Sequence, residues 1–332
     1  VPQDPDADRG AVSTRHHSSL LAALRPSMEA FNVPAGEHIF HQNDVADGMH
    51  AITAGRVSIK SRTLADGLVE LAQMGPGDIF GELSLIDHMR RSAMAVAVEP
   101  TSGYFMAREQ FERLLIVGDP VACRLATHIR LLASARTRAT LGGLALDPLP
   151  LAERRGHSSA GQARIKPTHS APEIADLLQA LHPFRHFKPT EIGKILQSAS
   201  VFGLQAGSTL TDQGAPADGI HIVLRGAVRM SLHRPEAMEQ LLIHGPGKII
   251  GCTAAIDGLP HPVHLDVRED AWLVHMGQTQ LKAMENDQGG AAIKLLDLVS
   301  KQITHDLRSL SRHQGRRESM VALNHQAEVA HV

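Results

Sequence analysis

Phe80-Gly81-Glu82-Leu83-Ser84-Leu85-Ile86, followed by Arg91-Ser92-Ala93, is the stretch from which the rest of the chain can be read. A buried anion needs backbone amides, a glycine that lets the main chain come close, and a cation that makes directed hydrogen bonds. Gly81, the amides of Ser92 and Ala93, and the guanidinium of Arg91 supply these. The Ser92 hydroxyl adds a donor. Glu82 is a poor phosphate ligand because of like charge, but a carboxylate accepts a charge-assisted bond from a sugar hydroxyl and reads as a ribose hook.

Outward from this turn the chain repeats itself. Ala46-Asp47-Gly48-Met49-His50 matches Ala217-Asp218-Gly219-Ile220-His221 at an offset of 171, and Gly55 and Val57 match Gly226 and Val228 at the same offset. Gly75-Pro76-Gly77-Asp78-Ile79 matches Gly245-Pro246-Gly247-Lys248-Ile249 at 170, so one residue is lost from the loop between. That loop reads as a hairpin, at Ala65-Asp66-Gly67 in the first copy and Arg234-Pro235-Glu236 in the second. A period this long is a domain duplication rather than a solenoid of roughly 20 to 50 residues per repeat. Short β-type runs cut by Gly and Pro fill each copy, among them Gly36 to Phe40, Gly55 to Ile59 and Leu68 to Met74, and predict a small antiparallel roll.

These motifs resemble the cyclic nucleotide-binding domain family, whose phosphate-binding cassette reads F-G-E-L-[AS]-L with R-[AST]-A about nine residues after the Glu. The resemblance extends to Pro34-Ala35-Gly36-Glu37-His38-Ile39-Phe40 with Asp44, Ala46 and Asp47, and to Gly55-Arg56-Val57. It implies two eight-stranded β-roll (jelly-roll) domains, mainly β with α, each with flanking helices and a long C-terminal helix. It also implies cyclic phosphate on Arg91, a ribose hydroxyl on Glu82, Gly81, Leu83, Ser92 and Ala93 around them, and the base held under the following helix, where Thr127 and His128 lie. Arg90 stands beside Arg91, but the spacing and the following Ser92-Ala93 favour Arg91, leaving Arg90 solvated. The alternative is a roll that keeps the sequence without the ligand; burying Glu82 and Arg91 unpartnered would be costly. The ligand expected is cAMP, with cGMP as the alternative.

The second cassette has changed at every ligand-directed position: Cys252 stands for Glu82, His261 for Arg91, Pro262 for Ser92 and Val263 for Ala93. Pro262 has no amide to donate, and His261 carries charge only in acid. One working site per chain is expected, with the second domain serving assembly or partner contact. Cys252, His261 and His264 are metal-ligand types, but without tight ligand spacing no metal is expected. Neither a Ser-His-Asp spacing, a Walker loop nor paired carboxylates stands out, so no enzymatic activity is expected.

Helices are predicted over Arg108 to Leu115, Asp119 to Thr140, Gln278 to Met284 and Ala291 to Arg312. In the last, Leu296, Val299, Ile303, Leu307 and Leu310 form an apolar stripe that suits either its own roll or a homodimer seam. Arg124, Thr127, His128 and Arg130 give the helix from Asp119 polar groups with which to close over a base as a lid. The expected organisation is a disordered N-terminus at 1–19, the first domain at 20–140, a linker at 141–172, the second domain at 173–317 and a tail at 318–332.

Composition bounds the partners. The 332 residues fit two domains of roughly 150. Lys and Arg number 33 against 35 Asp and Glu, so no global basic field exists to hold nucleic acid, and no reader helix follows the second long helix; DNA is not expected as a partner. Aromatics at 3% argue against base-stacking platforms. Cys123 and Cys252 form no CxxC pair, which fits a reducing, cytoplasmic setting. The chain offers no apolar run of roughly 18 residues, so no membrane contact is expected. A protein effector remains a candidate partner.

Overall fold

The computed structural model describes residues 20–63, 67–144, 170–233, 238–287 and 289–330, with the side chains of 63 and 317–330 also outside the description. The expected disordered segment at 1–19, most of the expected linker and the hairpin tips at 64–66 and 234–237 therefore lie outside the described residues.

In the first unit, eight strands form two four-stranded antiparallel sheets. Strands β1 (Glu29–Val33), β3 (Gly48–Ala54), β6 (Ile79–Phe80) and β8 (Thr101–Ala107) take the order β1-β8-β3-β6, and β2 (His38–Phe40), β4 (Val57–Thr63), β5 (Gly67–Met74) and β7 (Met94–Ala97) the order β2-β7-β4-β5. Ile52, Val57, Phe80 and Ala95 fill the core between them. Between β6 and β7 lies a one-turn helix, α1 (Ser84–Asp87); α2 (Arg108–Ile116) and α3 (Pro120–Leu144) follow β8.

The second unit opens with α4 (Ala171–Ala180) and α5 (Pro189–Gln197), then repeats the roll in six strands: β9 (Ser200–Leu204), β10 (Thr209–Thr211), β11 (Gly219–His233), β12 (Met238–His244), β13 (Ile249–Ile250) and β14 (His264–Gly277). α6 (Cys252–Asp257) occupies the cassette, and α7 (Gln278–Asn286) and α8 (Gly290–Ala330) close the chain. Six rather than eight strands arise because β11 runs through the positions of both β3 and β4, and β14 through those of β7 and β8. The break survives as register shifts around Val223, Arg225 and Ala227. Gly226 sits there at φ +82°, as Gly55 does at +89° in the first copy. A Cβ would come within 2.4 Å of the Pro100 carbonyl oxygen at Gly55 and of the Asp270 carbonyl oxygen at Gly226, so both the backbone angle and the close approach demand glycine.

Several expected boundaries move. α3 continues past Thr140 to Leu144, and the compact units divide within α3 and within α8: the first runs to Ile129 and includes the chain from Gly315, and the second spans Arg130–Gln314. Leu141 and Leu144, at 4% and 1% exposure, belong to the second unit's core with Phe202, Leu265, Leu273 and Leu310. Residues 171 and 172 are helical as well. The Glu173 carboxylate accepts from the Ser170 amide at 2.6 Å, and Pro172 sits in the first turn, where its missing N–H costs nothing. The segment set apart as a tail is mostly a continuation of α8, which is helical to Ala330.

The α8 stripe is packed inside the chain. Val299, Ile303, Leu307 and Leu310 are all at most 5% exposed within the second unit. Among the described residues no helix is long and apolar enough to cross a membrane.

Candidate functional site

The cassette of the first unit is built around one buried cation. Arg91 is 4% exposed; its Nη2 donates to Asp47 Oδ1 at 2.7 Å, and its Nη1 to the Gly81 carbonyl at 3.1 Å and to Ser84 Oγ at 3.2 Å. The guanidinium lies over the Phe40 ring, 4.1 Å from its centroid. Its own backbone is fixed to the preceding loop, with the Arg91 amide donating to Asp44 O at 3.0 Å and the Asn43 amide to Arg91 O at 2.9 Å. Burial pushes the Arg91 pKa down, and Asp47, Glu82 and Asp44 act against that shift.

Gly81 makes this approach possible. It sits at φ +70°, and a Cβ there would stand 2.3 Å from Arg91 Nη1. Ser84 ties the turn to the sheet, its one hydroxyl proton facing the Gly48 and Gly81 carbonyl oxygens, 2.7 and 2.6 Å from Oγ. Glu82 is buried at 2% exposure, Leu83 is half-buried, Ala93 is buried and Ser92 is exposed. Arg90, expected to be solvated, is exposed and donates to Asn43 O at 2.7 Å.

Beside Arg91 opens a cavity of about 350 Å³, lined among others by Phe31, Phe40, Asp47, His50 and Phe105. That volume is of the order of a small-molecule site. His50 is its unforeseen centre. Its ring stacks on Phe80 at 5.1 Å and 13°, and meets Phe105 at 4.8 Å and Phe31 at 5.2 Å. Composition argued against aromatic platforms, yet four of the eight Phe residues gather here. Burial and then the Arg91 charge push the His50 pKa from 6.5 down to about 3, against a smaller opposing pull from Asp47.

A test of that environment follows. The folded state holds His50 neutral while the unfolded chain protonates it near 6.5, so its contribution is whole above pH 6.5 and is lost progressively down to about 3. The loss amounts to at most about 4 to 5 kcal/mol over that span. His50→Phe, which keeps the ring cluster, is expected to flatten this part of the stability-against-pH curve in denaturant titrations; an unchanged acid slope would contradict it.

Of the expected ligand residues Arg91 lines this cavity, whereas Gly81, Glu82, Leu83, Ser92, Ala93, Thr127 and His128 are not among its lining, and the Thr127 hydroxyl donates to Cys123 O in its own helix at 3.1 Å. From Arg130 onward α3 belongs to the second unit. Arg130 is buried there, with Nη1 3.4 Å from Ser300 Oγ. Arg138 clamps Asp257 through Nε and Nη2 at 2.6 and 2.8 Å and donates to Pro260 O at 2.9 Å.

The second cassette differs in both chemistry and volume. Its cavity is about 20 Å³, room for a single water, because Thr137 and Leu141 of α3 and Asp306 and Leu310 of α8 close over Cys252 and His261. His261 takes the position of Arg91, its Nε2 3.1 Å from Asp218 Oδ1, which repeats the Arg91–Asp47 pairing with an imidazole. Burial raises the Asp218 pKa, but the His261 hydrogen bond and the neighbouring His221, His261 and His275 bring it below the usual carboxylate range. Cys252, His261 and His264 do not converge. Cys252 is buried with Sγ 3.6 Å from Ile249 O and its thiol pKa raised by burial, while His264 pairs with Asp212 at 3.0 Å.

The sequence matches the cyclic nucleotide-binding domain family over residues 30–116 and 202–287, more than half of the chain. Among curated relatives, the cyclic AMP receptor protein of Thermus thermophilus is 38% identical over 101 residues, 29% of this chain and 47% of that protein. A CRP-like cAMP-activated global transcriptional regulator of Mycobacterium tuberculosis is 29% identical over 172 residues, 49% of this chain and 76% of that protein. The match thus spans about half the length of the Thermus relative. Among solved structures, the regulatory domain of Toxoplasma gondii PKA with cAMP is 14% identical, covering 89% of this chain and 97% of that one at a TM-score of 0.32. One relative is by its name a transcriptional regulator, so the expectation that excluded DNA finds no support among them.

Proposed function

Because the chain belongs to the cyclic nucleotide-binding domain family, we propose that it is a non-enzymatic regulatory protein that binds one cyclic nucleotide, cAMP in preference to cGMP, in its first domain. Arg91 takes the cyclic phosphate with the Gly81 turn and the Ser92 and Ala93 amides, and Glu82 takes a ribose hydroxyl. The phenylalanines around His50 offer apolar ring faces beside the site. The second domain acts in assembly or in contact with a protein effector.

The observation that carries this reading is the contrast between two copies of one roll. The first keeps a buried guanidinium beside a cavity of about 350 Å³, and the second has an imidazole beside about 20 Å³. Isothermal calorimetry with cAMP and with cGMP tests it. One cAMP per chain, bound more tightly than cGMP, is expected; two equivalent sites, or no heat at all, would contradict the proposal.

A further inference from the structure

At the place where the first roll pairs Arg91 with Asp47, the second gathers four side chains from three stretches of the sequence: Asp218 and His221, His261, and His275. His221 on β11 and His275 on β14 are direct register partners across an antiparallel pair. Such partners share a face, and here the two imidazoles stack with centroids 4.5 Å apart and planes at 21°. Asp218, at the entry to β11, completes the group. Its Oδ2 is 3.9 Å from His221 Nε2, and its backbone carbonyl accepts from His275 Nε2 at 3.2 Å, a bond that sets the His275 ring and that Nε2 gives up if it is the ligating nitrogen. One ligating atom from each of Asp218, His221 and His275 lies within 4.8 Å of the others. His221 is fully buried in the sheet, whereas His275 and Asp218 are partly open to solvent.

We propose that Asp218, His221 and His275 form a binding site for a borderline divalent cation of the zinc class. Two imidazole nitrogens and one carboxylate oxygen suit such an ion; Mg²⁺ and Ca²⁺ prefer shells of oxygen alone, and the one thiol nearby in sequence, Cys252, is turned to Ile249 O. Bonds of about 2.0 to 2.2 Å set tetrahedral ligand atoms roughly 3.3 to 3.5 Å apart, so the group has to draw in by about an ångström. The two partly exposed side chains have the freedom to do so, and His221 is the fixed point. His261 holds Asp218 Oδ1 and so orients the carboxylate, as hydrogen-bonded partners of metal ligands do. Water takes the fourth position. The cation returns positive charge to the cassette that lost its arginine.

A single pair of ligands in one strand would have been visible as a motif. Here Asp218 and His221 are three residues apart, but His275 and His261 join them only through strand register and the cassette loop. A second group, Asp212, His233 and His264, has metal-ligand chemistry too, and its exposed member His233 serves as the control.

The test uses the full chain stripped with chelator and titrated calorimetrically with ZnCl₂, alongside MgCl₂. One Zn²⁺ per chain and no Mg²⁺ binding are expected. His275→Gln and Asp218→Asn are each expected to weaken Zn²⁺ by about a hundredfold or more, with thermal melts showing that they fold, and His233→Gln to leave it unchanged. Zinc-edge X-ray absorption of the parent chain keeps the proposal testable where a variant does not fold: a shell of nitrogen and oxygen with imidazole scattering is expected. Absence of stoichiometric Zn²⁺ binding, sulfur in the shell, loss of binding in His233→Gln, or retention in folded His275→Gln and Asp218→Asn would each overturn it.

Discussion

Arg91→Ala is expected to weaken cyclic nucleotide binding by roughly thirtyfold to several thousandfold, the equivalent of about 2 to 5 kcal/mol for removing one partner of a desolvated charge pair. The size of the effect follows from burial. At 4% exposure the guanidinium is held by Asp47, the Gly81 carbonyl, Ser84 and the Phe40 ring, so it meets an anion with its fork already oriented. Arg91→Lys keeps the charge without the fork and is expected to recover only part of the affinity. Gly81→Ala should approach the alanine variant of Arg91, because its methyl would stand 2.3 Å from Nη1 in a backbone conformation that already disfavours a side chain. Calorimetry on variants shown by circular dichroism to be folded measures all three. Parent-like affinity in Arg91→Ala would remove the site assignment.

Leu310→Ala carries the largest expected stability effect. Leu310 is fully buried in the second unit's core with Leu141, Leu144 and Leu265, and it lines the closed second cavity. Truncation is expected to cost about 2 to 5 kcal/mol in denaturant unfolding, the transfer loss plus an unfilled void. It also separates two reasons for a silent second cassette. If lack of volume alone kept nucleotide out, Arg91→Ala with Leu310→Ala would regain one site per chain. No binding is expected from the double variant, because the added space leaves Cys252, His261 and Pro262 where a carboxylate, a guanidinium and an amide are needed.

What the sequence made legible is what is locally encoded. Positive-φ glycines such as Gly55 and Gly81 mark turns, so the repeat, the rolls and the first cassette could be read from short words of sequence. The fate of α3 could not. Its polar residues from Arg124 to Arg130 suggested a lid, but the part of the helix from Arg130 onward is fixed by Arg138 on Asp257 and by Leu141 and Leu144 in a core whose other members begin at Phe202. Gly226, matched to Gly55 by the repeat, is a bend in one continuous strand, because its neighbours pair with β14 on both sides of it. His50 and the histidines at 221 and 275 were hidden for a related reason: a histidine in a strand declares its chemistry only through the residue opposite it. Ser170 and Pro172 did carry a helix-start signal, obscured by the Gly, Ser and Pro texture before them.

Backbone hydrogen exchange with and without cAMP tests the central claim most directly, because it reports both copies of the cassette in one experiment. Saturating cAMP is expected to slow exchange across residues 79–93 and in the strands around His50, and to leave residues 249–263 as they are without ligand. Protection of 249–263, or none across 79–93, would contradict a single nucleotide site held by Arg91 in the first domain.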